Sequence, residues 1–328
     1  MVIVVEQTTI DQDFARLIGP YRRELYAHCY RMLGSAHDAE DLVQETCLRA
    51  WKGIDRFEGR SSLRTWLHRI ATTVCLTALD KRGRRPLPTG LGGPTDNPES
   101  ELADGSEVPW LEPMPDRLGV GVDDPGTVVA DRESVRLALV AALQYLPAKQ
   151  RAVLILREVL RFSAAEVAQI LDTSVPAVNS LLQRARAQLA KELPQEDRVP
   201  APRADQRELL ERYVTAFESY DIGALTELFT AEAAFEMPPS ATWVRGPENI
   251  VRLIHAQCPA QAPGDLALVP TAANGQPAFA MYLRGEDGVY RAFGIHVLAM
   301  TGEGIGRCSL FFDTTLFPLF GLDPVLHR

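Results

Sequence analysis

Residues 86–127 (PLPTGLGGPTDNPESELADGSEVPWLEPMPDRLGVGVDDPGT) show no sustained helical or strand periodicity and are dense in proline, glycine and acid. A structureless tract of this length does not fit inside a compact domain, so it divides the chain. It reads as a linker, with one apolar pair, Trp110-Leu111, placed to anchor it on a domain. A second, shorter break at 194–202 (PQEDRVPAP) ends the next segment. Domains are therefore expected at 11–85, 128–193 and 204–328.

Charge follows the same divisions. The chain carries −9, but 11–85 carry +4, 86–127 carry −8, 128–193 carry +3, and 194–328 carry −7. Two basic segments alternating with acidic ones suit nucleic acid better than the average implies. No apolar run approaches the roughly 18 residues of a membrane helix. The start, MVIVVEQTTIDQDF, has no basic n-region and no small-residue cleavage site. Both features predict a cytoplasmic chain with no membrane partner. Cys29, Cys47, Cys75, Cys258 and Cys308 are scattered without a CxxC pair. They read as reduced core thiols, and no metal or cofactor is expected.

The sharpest local pattern is FSAAEVAQILDTSVPAVNSLLQRARAQLAKEL. Ser163 with Glu166 forms a capping box, and Phe162 with Val167 a hydrophobic staple. Asp172-Thr173 fills a turn where Asp tolerates a left-handed backbone. Ser174 caps a second helix with Pro176 in its first turn. Val178, Leu181, Leu182, Ala185 and Leu189 face inward, leaving Ala177, Asn179, Ser180, Gln183, Arg184 and Arg186 outside. This fits a helix-turn-helix whose second helix enters the major groove. An αα-hairpin with a solvated basic face fits the same spacing.

The first basic segment is also helical. Ser35 and Asp38 open one helix, and Ser61 or Ser62 opens another through Leu63, Trp66, Leu67, Ile70, Val74 and Leu79. Arg56, Phe57, Arg60, Arg64, Trp66 and Arg69 interleave cations for phosphates with rings for unstacked bases, as single-stranded DNA requires. Asp38, Asp41 and Glu45 share a helical stripe suited to a basic partner surface. Ordinary solvated faces fit either stripe taken alone.

DAEDLVQETCLRAW followed by FEGRSSLRTWLHRIATTVCL resembles region two of the sigma-70 family. LPAKQRAVLILREVLRFSAAEVAQILDTSVPAVNSLLQRARAQL is similar to its region four. Lacking a region-three domain, the chain resembles an extracytoplasmic-function (ECF) sigma factor, and WLEPMPD resembles the subgroup with a C-terminal SnoaL-like extension. The resemblance implies a multidomain fold: an all-α region-two bundle, an all-α region-four helix-turn-helix, and an α+β cone. It implies core RNA polymerase as the partner of Asp38, Glu40, Asp41, Gln44 and Glu45. Arg60, Ser61, Ser62, Trp66, Arg69 and Thr73 would hold the melted minus-ten strand of promoter DNA, and Ser174, Ala177, Val178, Asn179, Ser180, Arg184 and Arg186 the minus-thirty-five duplex. The family often has Asn where this chain has Thr73, and Lys and Arg where it has Asn179 and Leu181. A less cationic reading helix predicts weak binding of free duplex.

Residues 204–328 begin with helical spacing (Leu209, Leu210, Tyr213, Val214, Phe217) and turn strand-like after about 265, with a hairpin signal at Asn274-Gly275. RYVTAFESYDIGALTELF, WVRGPENI, ANGQPAFAMYL, HVLAM and FPLFGL resemble the SnoaL-like (nuclear transport factor two-like) cone. Trp243, His255, Tyr282, His296 and Asp313 are the expected polar or aromatic lining of its pocket. The domain reads as a regulator in cis, contacting the linker or sigma domains. An enzyme using a His/Asp pair and a purely structural module are the other readings. For the whole chain, the alternative is a SnoaL-type enzyme or ligand sensor fused to a DNA-binding repressor. A repressor has no need of a strand-trapping loop.

Overall fold

The computed structural model describes residues 14–119, 133–192 and 206–327. The chain divides into two compact units, Met1–Arg84 with Arg117–Leu193, and Arg85–Asp116 with Pro194–Arg328. Residues 120–127 of the first expected break and the whole of the second, 194–202, lie outside the described residues.

The first unit is helical. Helix α1 (Arg22–Leu33) stops at Gly34, whose φ of 71° lets its N–H reach the Tyr30 carbonyl at 2.7 Å. Helix α2 (Ala36–Gly53) starts at Ser35, whose hydroxyl accepts the Asp38 N–H. Helix α3 (Leu63–Leu79) starts at Ser62, which accepts the Thr65 N–H at 3.0 Å. Ser62 rather than Ser61 is therefore the cap. Their shared core holds Leu25, Tyr30, Met32, Val43, Leu67 and Val74. The apolar recurrence along each helix places these side chains on one face.

Helices α4 (Leu137–Leu143) and α5 (Ala148–Leu154), a π-helical turn (Ile155–Val159), α6 (Ala164–Ile170) and α7 (Val175–Glu192) complete this unit. Both halves of the Ser163/Glu166 capping box form. Asp172 turns the chain at φ 49°, as its tolerance of the left-handed region predicts. Two buried arginines join the helix sets. Arg31 gives Nε to the Ser134 carbonyl at 3.2 Å and Nη2 to the Ser134 hydroxyl at 2.6 Å. Arg151 donates to the carbonyls of Met32, Gln144 and Leu146 and to Gln144 Oε1. Burial brings the Arg151 pKa down to about 10, so it stays charged at neutral pH and needs these oxygens.

The second unit is α+β. Strands β1 (Phe229–Glu236), β2 (Trp243–Arg245), β3 (Leu266–Ala273), β4 (Gln276–Arg284), β5 (Tyr290–Met300) and β6 (Ile305–Phe311) form a sheet in the order β2-β1-β6-β5-β4-β3, with β7 (Val325–Leu326) paired to β5. Among the described residues, only the β1–β6 pair is parallel. The hairpin at Asn274-Gly275 forms as the sequence predicts, with φ values of 57° and 68° closing β3 onto β4. Helices α8 (Gln206–Glu218), α9 (Ile222–Thr226) and α10 (Pro247–Gln257) share the apolar core with this sheet through Tyr213, Phe217, Leu225, Ile250 and Leu253.

Residues 85–116, where the sequence expected a linker anchored only at Trp110-Leu111, are bonded along their length to the sheet domain. Thr89 N–H reaches Glu236, Thr95 N–H the Trp243 carbonyl, and Trp243 Nε1 the Gly92 carbonyl. Ala103 is held on both backbone atoms, by Thr242 Oγ1 and by Ala241 N–H. Trp110 and Leu111 are buried, and Trp110 Nε1 donates to the Gly105 carbonyl at 2.8 Å. Met114 exchanges two bonds with Asn274, and Pro115 bridges Ala273. Periodicity could not reveal this strap, since its backbone partners lie more than a hundred residues away.

Candidate nucleic-acid interface

Short turns place the aromatic-basic cluster. A 3-10 turn (Ile54–Arg56) ends α2, Gly59 adopts φ 68°, and the Ser62 cap fixes where α3 begins. The Phe57 and Trp66 rings meet at 5.0 Å between centroids. Arg56, Phe57, Arg60, Ser61, Trp66 and Arg69 line one groove of about 410 Å³. Arg60 is 85 % exposed and has only the similarly exposed Glu58 at 3.2 Å. Arg69 is exposed, and so is Thr73, whose hydroxyl bonds back to the Arg69 carbonyl. Cations and rings thus face one space, as an unstacked strand requires.

The far wall of the groove is made by Gln169 and Ile170 of α6, which sequence reasoning missed. No local pattern marks them, because only the packing of α6 on α3 brings them there. Arg64 belongs elsewhere than its neighbours suggested. Its guanidinium makes two bonds to Glu24 at 2.7 and 2.9 Å, one to the Leu160 carbonyl at 2.9 Å, and lies 4.2 Å from the Phe162 ring centroid. It is a structural tie. Thr65 adds a bond to Glu166 Oε1 at 3.3 Å, and the Ser163 bonds hold the Glu166 carboxyl below its usual pKa.

His68 lies beneath this tie, 5.0 Å from Phe162 and 5.5 Å from His28. Burial lowers the His68 pKa to about 4 and that of His28 well below its usual value. Both are neutral at pH 7. His68 Nε2 comes within 3.2 Å of Glu24 but without hydrogen-bond alignment.

The acidic stripe on α2 carries its own counter-charges. Glu40 pairs with Arg22 at 2.6 Å and Glu45 with Arg49 at 2.6 Å, while Arg82 bonds Asp38. Gln44 reaches Glu40 at 3.5 Å, and Asp41 is exposed. Such surface pairs contribute about 0–1 kcal/mol each, so a basic partner could replace the arginines at little cost.

Ser174, just before α7, and Asn179, Ser180, Arg184 and Arg186 on it are exposed, and Ala177 is half-buried. Val178 is the exception. It is fully buried in the helix-turn-helix core and cannot meet a base edge, contrary to its expected place among the reading residues. Arg184 bonds only its own helix, through the Ser180 carbonyl, whereas Arg186 pairs with Glu158 at 2.6 Å.

In the second unit an apolar cavity of about 510 Å³ is lined by Leu102, Phe217, Phe235, Met281, Phe312 and eight other residues plus Cys258. None of the five expected pocket residues lines it. Trp243 and Tyr282 are buried, with Tyr282 Oη bonded to the Asp323 carbonyl, and His255 is exposed. Asp313 bonds Thr315. His296 is fully buried against Tyr213, with burial lowering its pKa to about 3. Sequence reasoning favoured polar side chains, and the cavity is walled by apolar ones.

The sequence matches the Sigma-70 region 2 family over residues 17–85, Sigma-70 region 4 over 136–189, and the SnoaL-like domain over 210–306. It is 59% identical over 316 residues to the ECF RNA polymerase sigma factor SigG of Mycobacterium tuberculosis, covering 96% of this chain and 85% of that one. It is 32% identical to SigW of Bacillus subtilis, over 56% of this chain and 90% of that one. The crystal structure of M. tuberculosis SigJ shares the fold, with a TM-score of 0.60 at 23% identity over 94% of this chain and 100% of that one. The fusion to a repressor finds no support in these relatives. With a groove of cations and rings on α3, a capped helix-turn-helix and a SnoaL-like domain C-terminal to them in the sequence, the chain belongs to the ECF RNA polymerase sigma factors.

Proposed function

We propose that Arg60, Ser61, Ser62, Trp66, Arg69 and Thr73 hold the melted minus-ten strand of the promoter, with Asp38, Glu40, Asp41, Gln44 and Glu45 gripping core polymerase in the cytoplasm. The groove shared by Arg60, Trp66 and Arg69 carries this reading. Ser174, Ala177, Asn179, Ser180, Arg184 and Arg186 read the upstream duplex, and Val178 supports them from the core. Two cations on that face, one of them paired with Glu158, are few, so core polymerase supplies most of the affinity. Tight binding of promoter duplex by the isolated protein at physiological salt, in a gel-shift, would contradict this.

The C-terminal domain acts in cis and without catalysis. It holds residues 85–116, the acidic segment that would otherwise be available to the basic walls of the polymerase channel. The bonds at Thr95, Ala103 and Met114 support this. Run-off transcription with core polymerase, comparing the full chain with one ending near Pro200, tests both parts. Transcript from neither rejects the strand-trapping reading, and equal transcript from both rejects regulation.

A further inference from the structure

We propose that the cavity of the C-terminal domain binds a neutral, largely apolar small molecule, and that its occupancy sets how firmly residues 95–105 of the strap are seated. This deepens the cis-regulatory reading by supplying a signal for it.

The lining determines the ligand class. Phe217, Phe235, Met237 and Met281 form walls that suit a flat or branched hydrocarbon skeleton. No Lys, Arg, Asp or Glu lines the space, so an ion entering it would lose its hydration without a counter-charge. The volume, about 510 Å³, is that of a small-molecule site. One group can orient a guest. Gln257 donates Nε2 to the Ser100 carbonyl at 3.0 Å, and its Oε1 has no partner among the described residues. A single ligand hydroxyl would satisfy it.

The same residues join the cavity to the strap. Leu102 is a strap residue and a cavity wall, half-buried against the domain core. Two residues before it, Ser100 accepts the Gln257 bond, and Glu99 pairs with Arg252 at 3.0 Å. One residue after it, Ala103 is bonded to Thr242 and Ala241. A guest that fills the cavity gains contact with Leu102 only while the strap is seated. Linkage then requires that the guest tighten the strap and that the strap tighten the guest.

The test uses the full chain and N-phenyl-1-naphthylamine, a neutral apolar fluorophore, as the probe. Saturable one-to-one binding is expected. Cys258→Trp, which fills the cavity from a half-buried position, should abolish it. Thr314→Trp, at an exposed lining position, should do the same if the first variant folds poorly. Leu102→Ser should raise the dissociation constant about five- to tenfold. Saturating probe should slow amide exchange at Thr95 and Ala103 in the parent chain. Absence of saturable binding, or binding unmoved by either tryptophan, overturns the site. A Leu102→Ser variant that binds as the parent does, with exchange unchanged by the probe, overturns the coupling. Transcription is not read in this assay, so its failure leaves the run-off comparison to decide the cis-regulatory reading on its own.

Discussion

The Arg64 guanidinium lies 4.2 Å from the Phe162 ring centroid while bonding Glu24 on one side and the Leu160 carbonyl on the other. One side chain thereby ties α1, α3 and the segment before α6. Phe162→Ala should remove the ring, the cation contact and the His68 edge contact together, destabilising the helical unit by about 3–5 kcal/mol. Equilibrium urea unfolding followed by circular dichroism measures it, and a loss under 1 kcal/mol would show that the site collapses around the missing ring.

Trp66→Ala and Arg69→Ala act on the groove. Both side chains face it, so promoter opening should fall at least tenfold with little change in melting temperature, since base stacking contributes about 1–3 kcal/mol per base. Permanganate reactivity of minus-ten thymines in the holoenzyme complex reads this directly. Arg64→Ala should instead lower the melting temperature, which separates the structural cation from the working ones.

Arg184 and Arg186 should differ. Arg184 is free to meet a phosphate, whereas Arg186 must first leave Glu158. Arg184→Ala should reduce the salt slope of holoenzyme–promoter binding by about 1, and Arg186→Ala by less. Equal slopes for the two variants would show that the Glu158 pair is lost on binding.

How much of this was legible in the sequence depends on the range of the interaction. Capping boxes, the Asp172 turn and the Asn274-Gly275 hairpin are local, and each appears where its pattern predicts. The role of Arg64 was not legible, because Glu24 lies 40 residues away and Leu160 lies 96. Val178 shows a different failure. Family position assigned it to the DNA face, while its own helical phase had already turned it inward. Phase was the better guide. Beyond the Trp110-Leu111 anchor the strap was not legible, because proline and glycine hide backbone pairing that is irregular.

Gly105 has no room for a side chain where the strap meets its seat. A methyl group there would overlap the Pro239 carbonyl and the Trp110 ring. Gly105→Ala should therefore unseat residues 95–114, raising amide exchange there while β3–β5 stay protected. Unchanged exchange across the strap would refute this account of its docking.

Acid should weaken both units. His28, His68 and His296 are neutral in the fold because burial lowers their pKa values, to about 4 for His68 and about 3 for His296. The unfolded chain takes up these protons near pH 6.5, so their effect is absent above that value and grows as pH falls toward 4. Each group costs about 1.4 kcal/mol per pH unit while it titrates only in the unfolded state. His68→Phe should flatten the urea-derived stability profile of the helical unit between pH 6.5 and 4.5 by about one proton.

The strap also has a history in time. Met114 and Asn274, which exchange two hydrogen bonds, are separated by 160 residues. At the usual pace of synthesis, about 5–20 residues per second, the strap leaves the ribosome some 10–30 seconds before its seat exists. Within that interval residues 117–193 follow the strap and complete the helical unit, with its acidic segment still unclaimed. A newborn molecule therefore passes through a stage at which only the sigma regions are complete.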